Sequence, residues 1–316
     1  APIYSDTDYH VLDDAALSRL LDQPRIMDVQ PFEEGAKIRL SLAGAQDKLP
    51  VRFDGKNIML PLNGAPSTHI IKPQSLHLRS LVENETFCMS LAAAIGVDVP
   101  PVQIIDHEDE RLYLITRYDR QVLESGIIQR LHQEDFCQAL GVSPRIKYED
   151  QGGPGFTDCF ELIKSFSNPL ADLRRFLDMV IFNMLIGNCD CHAKNLSLLY
   201  RNSGAPSLAP FYDLVCTQVY AVTNNLTTNM AMRIGGVEKA QNLSVEALAQ
   251  FAQDAGIRSA NLVYDRINHV VAKVDSLIGT MEKDIVNQYG ENEIYREISD
   301  HIAHRSNALT RLSKQR

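Results

Sequence analysis

The apolar pattern changes from a strand period to a helix period near residue 118, and this change limits the possible folds most strongly. Upstream, alternating segments such as KLPVRFD, THIIKP and RLYLITRYD predict strands, and one helix is predicted over about residues 78–95. Downstream, apolar residues recur at helical steps over residues 170–185. Further helices are predicted at QEDFCQALG and over about residues 244–255, 258–286 and 291–312, and a β hairpin is predicted from LSLLY and LAPFYDLV. The sequence therefore predicts an α+β fold with a β-rich N-lobe over residues 1–118 and an α-helical C-lobe over 119–316.

Composition narrows the classes of function. The net charge is −9, from 40 acidic and 31 basic residues, and this balance does not favour a protein that grips nucleic acid with its own surface. No apolar run approaches the roughly 18 residues that a membrane span needs. The six cysteines lie mostly in apolar segments, where a free thiol behaves as a small hydrophobic side chain. We therefore expect a cytoplasmic protein without disulfides.

The stretch GNCDCHAKN, residues 187–195, follows the helical segment directly and allows three interpretations. In the first, Gly187 ends the helix and the polar residues after it are simply solvated. In the second, Cys189, Cys191 and His192 bind zinc, although Cys-x-Cys is tighter than the usual spacing and no second pair matches it. The third interpretation is a catalytic loop.

Asp190 and Asn195 stand five positions apart, as in the D-x-x-x-x-N catalytic loop of protein kinases. In such a loop the Asp accepts the proton of the substrate hydroxyl and the Asn holds magnesium, and Lys194 can offset charge on the transferring phosphoryl group. Asp213 comes 18 positions after Asn195, in PFYDLV, where a kinase has its second magnesium ligand. Taken alone, an aspartate at a strand end is equally typical of a turn.

Lys72 and Glu85 are the second pair that indicates a kinase. Lys72 ends the strand THIIK, where a lysine commonly extends to solvent. Glu85 falls on the apolar face of the following helix, four positions after Leu81 and three before Cys88. Because a buried carboxylate is costly unless it is paired, we predict that Glu85 forms an ion pair with Lys72.

Eight segments occur in the order in which the HipA toxin kinases have them: SLAGAQDK, THIIKP, NETFC, TRYDR, QEDFCQALG, KYEDQGGPGF, LIGNCDCHAKN and PFYDLV. The sequence resembles that family closely over residues 36–215 and loosely in the helical tail. It resembles the family's core without the N-terminal small domain, as in the short HipT toxins. The resemblance implies a two-lobed, protein-kinase-like fold and phosphorylation of serine in an aminoacyl-tRNA synthetase with ATP and Mg²⁺, which inhibits translation. It also implies two partners, a HipB-like DNA-binding antitoxin and a separate small HipS-like protein.

Site residues follow from the same resemblance. Asp190 is the implied proton acceptor, Asn195 and Asp213 are the implied magnesium ligands, and Ser41 matches an autophosphorylated serine. The residues implied at the nucleotide are Ala43, Gly44, Ala45, Gln46, Asp47 and Lys48 in a covering loop, Lys72 at the phosphates, Thr116, Arg117 and Tyr118 at a hinge beside the adenine, and His192, Ala193, Lys194, Asn195, Tyr212 and Asp213 around the catalytic loop.

The sequence departs from the family pattern at two positions. Cys191 stands where the family usually has glycine, so the backbone there has to accept a side chain. Asp47 replaces a usual glutamate. The lysine-rich DNA-contacting stretch of longer members has no clear counterpart, so we expect DNA contact only through the antitoxin.

Two other functions stay open beside the kinase toxin. One is a non-catalytic, kinase-like scaffold that acts with a DNA-binding antitoxin as a repressor. Its weakness is that Lys72, Asp190, Asn195 and Asp213 are all present, and a scaffold does not need them together. The other is a kinase for small molecules or lipids on the same fold.

Overall fold

The computed structural model describes residues 4, 8–21, 48–201, 204–224 and 226–315. They belong to two compact units. Unit 1 consists of Ala1–Val82 and Pro100–Leu131, and unit 2 consists of Glu83–Val99 and His132–Arg316. The predicted phosphorylation site Ser41 and most of the predicted covering loop lie outside the described residues, namely Ala43, Gly44, Ala45, Gln46 and Asp47.

Unit 1 is built on a six-stranded antiparallel sheet with the strand order β1-β3-β2-β4-β6-β5. The strands are β1 Tyr9–Val11, β2 Leu49–Phe53, β3 Ile58–Pro61, β4 His69–Lys72, β5 Val102–His107 and β6 Glu110–Thr116. Helix α1, Asp14–Leu21, packs its apolar side on the sheet, where Leu17, Val51 and Ile71 share one buried cluster. The strands predicted from the alternating segments between residues 48 and 118 are thereby confirmed. A short hairpin of β7 Arg120–Val122 and β8 Ile128–Arg130 follows.

Unit 2 contains most of the helical residues. Its helices are α2 Leu81–Ala94, whose first two residues belong to unit 1, α3 Phe136–Ala139, α4 Phe156–Ile163, α5 Pro169–Ile186, α6 Val245–Asp254, α7 Ala260–Tyr289 and α8 Glu293–Lys314. Helix α5 packs against α7 and α8. The ring of Phe176 on α5 lies 4.9 Å from that of Phe160 and 6.1 Å from that of Phe156, centroid to centroid. Such edge-to-face pairs add about 0.5–1.5 kcal/mol each to the burial of their surface. None of the described helices is both long and apolar enough to span a membrane.

Two local predictions in unit 2 were wrong in part. The segment QEDFCQALG was predicted to be helical, but its first residues belong to β9 His132–Asp135, which pairs with β10 Ser197–Tyr200. The helix is limited to α3 because Asp135 caps it, with its carboxylate accepting the amide of Gln138. The predicted hairpin exists, but its second strand, β11, covers only Ser207–Leu208 and ends before PFYDLV.

The helices predicted over about residues 244–255, 258–286 and 291–312 are confirmed as α6, α7 and α8, but a hairpin between Asp213 and α6 was not predicted. Strands β12 Asn229–Ile234 and β13 Val237–Lys239 form a hairpin, and Gly235 and Gly236 make its two-residue turn with φ of +54° and +80°. A type I′ turn needs positive φ at both central residues, which is why Gly-Gly is favoured there. The dipeptide in RIGGVEK was therefore the signal for this hairpin.

The two units differ from the predicted lobes, which meet at residue 118, chiefly because residues 83–99 pack within unit 2. Asn84, on α2, is fully buried. Its Nδ2 donates to the carbonyl of Cys216 at 3.0 Å and to the hydroxyl of Tyr220 at 3.1 Å. Its Oδ1 accepts the amide of Cys216 at 2.9 Å. A buried amide needs such partners, so Asn84 fixes α2 to the segment around Cys216.

We predict that Asn84→Leu lowers the free energy of unfolding by about 2–4 kcal/mol, because it leaves both backbone groups of Cys216 buried without partners. Ser90→Ala is the matched control on the same helix, because Ser90 is half-buried and its hydroxyl makes no hydrogen bond to a described residue. Urea unfolding followed by circular dichroism measures both. Equal midpoints for the two variants would contradict the proposed anchor.

Candidate active site

Gly187 ends α5 and sets the direction in which the following loop leaves the helix. Its φ is +69°, and its amide donates to the carbonyl of Asn183. A Cβ at this position would lie 2.4 Å from His301 Nε2 and 2.6 Å from Gln218 Cγ. Gly187 ends the helix, as the first interpretation predicted. The residues after it are not simply solvated, however, because Asn188, Cys189, Cys191 and His192 are buried.

Asn188 connects the loop to the segment that contains Asp213. Its side chain is buried, and its Oδ1 accepts the amide of Asp190 at 3.1 Å. Its Nδ2 donates to Asn183 Oδ1 at 2.9 Å and to the carbonyl of Asp213 at 3.3 Å. The sequence predictions gave Asn188 no role. Its only signal was an amide next to a helix-ending glycine, and the sequence does not reveal the partners of that amide.

The carboxylate of Asp190 is accessible, with 54% of the side chain exposed. The hydroxyl of Tyr148 donates to Asp190 Oδ1 at 2.6 Å, and His192 Nε2 lies 4.0 Å from the same oxygen. Burial and the hydrogen bond to Asp190 both raise the pKa of Tyr148, so its hydroxyl stays protonated and acts as a donor. Tyr148 lies in the segment KYEDQGGPGF, but it was not predicted as a site residue.

Asn195 closes the loop back on Asp190. Its amide donates to the carbonyl of His192 at 2.8 Å, and its Nδ2 donates to the carbonyl of Asp190 at 3.0 Å. The residues Ala193–Asn195 form one 3-10 turn, and His192 directly precedes it. Because Nδ2 is held in this way, Oδ1 of Asn195 is the side-chain atom left to accept a cation.

Asp213 adopts a left-handed backbone conformation, with φ of +55°. This region costs a residue with a side chain about 1 kcal/mol or more, and such strain is concentrated at functional sites. Its carbonyl is held by Asn188. An amide oxygen of Asn195 and a carboxylate of Asp213 are both hard oxygen ligands, so these two residues fit a magnesium ion in their chemistry.

Lys194 and Tyr212 hold the turn through further polar contacts. Lys194 Nζ lies 2.7 Å from Asp135 Oδ2, and both side chains are largely buried. The hydroxyl of Tyr212 donates to the carbonyl of Lys194 at 3.0 Å and lies 2.7 Å from Ser197 Oγ. The amine predicted to face a phosphoryl group is therefore engaged in an ion pair in this structure.

The two loop cysteines face different neighbours. Cys189 Sγ accepts a hydrogen bond from Gln218 at 3.1 Å, while Cys191 Sγ lies 3.4 Å from Asn183 Nδ2. Burial raises the pKa of both thiols, that of Cys191 to about 12, so they are neutral at pH 7. Within the described ranges, no three His, Cys, Asp or Glu side chains are grouped as metal ligands. The backbone at Cys191 does not have a positive φ, which is why a side chain fits where glycine was expected.

The remaining predicted residues, apart from Glu85, belong to unit 1. Lys72, at the end of β4, is only 5% exposed, and its Nζ lies 5.3 Å from the ring centroid of Tyr113. It therefore does not extend to solvent as a strand-end lysine commonly does. Glu85 is also buried but belongs to unit 2, and its pairing with Lys72 stays a prediction. Lys48 directly precedes β2.

The predicted hinge, Thr116 to Tyr118, is fixed through its backbone and through Arg117. The amide of Arg117 donates to the carbonyl of Thr68 at 2.9 Å. Its guanidinium donates two hydrogen bonds to the carboxylate of Asp119, of 2.9 and 2.7 Å. Burial acts to raise the pKa of Asp119, but Arg117 and Arg120 outweigh it and the net shift is downward. The Arg117 side chain therefore serves this ion-pair cluster.

We predict that Gly187→Ala destabilises the protein more than Gly141→Ala does. Both glycines lie in unit 2 with nearly the same φ, +69° and +68°, so the strain of an alanine in the left-handed region is matched at about 1 kcal/mol. Open space surrounds the added methyl at Gly141, whereas at Gly187 it meets His301 and Gln218, which adds about 1–3 kcal/mol. Thermal unfolding of the two variants measures the difference, and equal losses would refute the steric constraint.

Known proteins show what this chain is similar to. Residues 40–278 match the family model of the HipA-like C-terminal domain. The putative kinase Y4mE of Sinorhizobium fredii is 40% identical over 303 residues, which make up 96% of this chain and 70% of that protein. The serine/threonine-protein kinase toxin HipA of Shewanella oneidensis is 32% identical over 255 residues, or 77% of this chain and 57% of the toxin.

Two solved structures are also similar. A chain of the Shewanella oneidensis toxin–antitoxin complex of HipA, HipB and operator DNA has a TM-score of 0.78 and 25% identity, covering 99% of this chain and 73% of that one. The proinflammatory kinase CtkA of Helicobacter pylori has a TM-score of 0.59 at 13% identity, with 88% and 95% covered, which shows a shared fold. The fold is therefore α+β and kinase-like, as predicted, and the chain belongs to the HipA-like family, whose relatives include kinases and a kinase toxin.

Proposed function

We propose that this chain is a serine/threonine-protein kinase toxin that transfers the γ-phosphoryl group of ATP to a protein. One observation carries the proposal. The carboxylate of Asp190 is exposed at the tip of a loop that Asn188 ties to the carbonyl of Asp213, and Asn195 closes that loop. Proton acceptor and cation ligands are thus linked by one set of hydrogen bonds.

Asp190 is the proposed proton acceptor. When the substrate's hydroxyl oxygen bonds to the γ-phosphorus, the bond between that phosphorus and the oxygen of ADP breaks, and the hydroxyl proton passes to the Asp190 carboxylate. The hydroxyl of Tyr148 orients this carboxylate by holding one of its oxygens. A magnesium ion held by Asn195 and Asp213 would supply positive charge to the phosphates.

The proposed nucleotide residues of unit 1 would bind the phosphates and the adenine of ATP. Lys72 is buried, and an amine removed from water attracts phosphate more strongly than a solvated one. Thr116, Arg117 and Tyr118 are the proposed hinge at the adenine, and Lys48 ends the proposed covering loop. The Lys194 amine would have to exchange Asp135 for a phosphoryl oxygen to take its proposed role.

The proposed substrate is an aminoacyl-tRNA synthetase, whose phosphorylation would inhibit translation in the cytoplasm. The support is the similarity to the HipA toxin of Shewanella oneidensis. A HipB-like antitoxin is the proposed partner, because the similar solved chain comes from a complex with HipB and operator DNA. A HipS-like protein is the proposed second partner. DNA contact is proposed only through the antitoxin, in keeping with the net charge of −9.

We predict that Asp190→Asn lowers phosphoryl transfer about 10²–10⁴-fold, because the proton acceptor is lost, while binding of Mg-ATP is kept. Asp213→Asn should lose both phosphoryl transfer and Mg-ATP binding, since it removes a proposed metal ligand. The control is Asp275→Asn, at an exposed position of α7. Incubation with labelled ATP and cell lysate measures transfer, and thermal shift measures binding. A ligand at 100 times its Kd adds about 2.7 kcal/mol to the free energy of unfolding.

Transfer at the parent rate by either variant would refute the assigned roles. If the parent protein shows neither a thermal shift with Mg-ATP nor transfer, the alternative is favoured: a non-catalytic scaffold that forms a repressor complex with a DNA-binding antitoxin. Label that appears in small molecules or lipids rather than in proteins would identify a different substrate class.

We also predict that incubation with Mg-ATP adds one phosphate to Ser41 and that the modified protein binds ATP more weakly. A phosphate brings about −1.5 to −2 charges, and next to the phosphates of ATP these charges repel. Intact-mass measurement, with Ser41→Ala as the control that stays unmodified and binds ATP, tests this. An active enzyme without added phosphate, or a Ser41-phosphorylated protein with unchanged ATP affinity, would contradict the prediction.

A further inference from the structure

A cavity of about 280 Å³ lies within unit 2 next to the loop of residues 187–195. Its walls come mainly from α4, α5, α8, β12 and the loop, and most are apolar, among them Phe156, Val180, Met184 and Met232. Asn188, Cys189 and Cys191 of the loop also line it, whereas Asp190, Asn195 and Asp213 do not. The cavity is therefore separate from the proposed catalytic groups.

Arg305 on α8 lines this cavity and is only 6% exposed. Its Nε donates to the carbonyl of Met184 at 3.3 Å and one terminal nitrogen donates to the carbonyl of Ala240 at 3.1 Å. No carboxylate of the described chain forms an ion pair with it, and the two carbonyls use only part of its five donors. A buried cation without a counter-charge is costly, so the cavity offers an anion a strong electrostatic gain.

Further polar groups lie in the same cavity wall. His301 Nε2 is buried and has no hydrogen-bond partner among the described residues. Burial lowers the pKa of His301 to about 4, so its ring is neutral at pH 7 and has a tautomer that donates from Nε2. His304 and Gln241 are exposed and mark the side of the cavity that reaches solvent. Predominantly apolar walls with a few polar groups are the usual composition of a small-molecule site.

We propose that this cavity binds a small organic anion that has an apolar body and one carboxylate or phosphate group, with Arg305 as the counter-charge. The apolar body would lie against Met184 and Met232, and the anionic group would take the donors that Arg305 leaves open. An occupant would also touch Asn188, whose side chain holds the backbones of Asp190 and Asp213. The binding itself does not depend on the proposed kinase activity.

The test uses the full chain with phenyl phosphate and benzoate as anionic probes. Benzyl alcohol is the uncharged probe, and inorganic phosphate is the probe without an apolar body. We expect at least one aromatic anion to bind more tightly than both controls. Arg305→Met should weaken that binding about tenfold or more, as expected for a hydrogen bond to a charged group. Arg296→Met, at an 83% exposed arginine of the same helix, should leave it unchanged.

A second measurement does not require Arg305→Met to fold. With methionine methyl groups labelled in the otherwise unchanged chain, the bound anion should shift the NMR signals of Met184, Met230 and Met232, which line the cavity, and leave those of Met59 and Met89 in place. The proposal is overturned if neither aromatic anion binds at millimolar concentration. It is also overturned if the cavity methyls stay unshifted on binding, or if a folded Arg305→Met variant binds as well as the parent.

Discussion

The hydrogen bonds of Asn188 are the constraint on which the candidate site depends. One buried amide accepts from the backbone of Asp190 and donates to the carbonyl of Asp213, and it is itself anchored to Asn183 on α5. A buried amide that lost any of these partners would leave an unpaired polar group at a cost of about 1–3 kcal/mol. The helix, the loop and the strained aspartate are therefore held in one arrangement, rather than as three independent pieces.

A second buried asparagine acts on the same segment from the opposite end. Asn84 of α2 binds both backbone groups of Cys216, three residues after Asp213. The segment from Asp213 to Cys216 is thus held at its first residue by Asn188 and at its last by Asn84. Such double fixation explains how Asp213 is kept at a φ of +55°, a conformation that costs energy and persists only where the surroundings impose it.

The sequence predicts those features that depend on local pattern. The apolar period identifies α5, the glycine after it identifies the helix end, and the D-x-x-x-x-N spacing identifies one turn with Asp190 and Asn195. Features that depend on distant partners were missed. Tyr148 reaches Asp190 across 42 positions of sequence. The segment before α3 is a strand because it pairs with β10, about which its own residues carry no signal.

The loop also divides its side chains between two environments. Asp190 has 54% of its side chain exposed, while Cys189 and Cys191 on either side are 6% and 8% exposed. Residues 189 and 190 lie in a turn, and this turn presents Asp190 to solvent while both neighbouring cysteines are buried. The two cysteines line the cavity that holds Arg305. The same backbone geometry that makes Asp190 available for chemistry thus places the loop in contact with a buried cation. Any occupant of that cavity would rest directly against the residues that hold Asp190 in position.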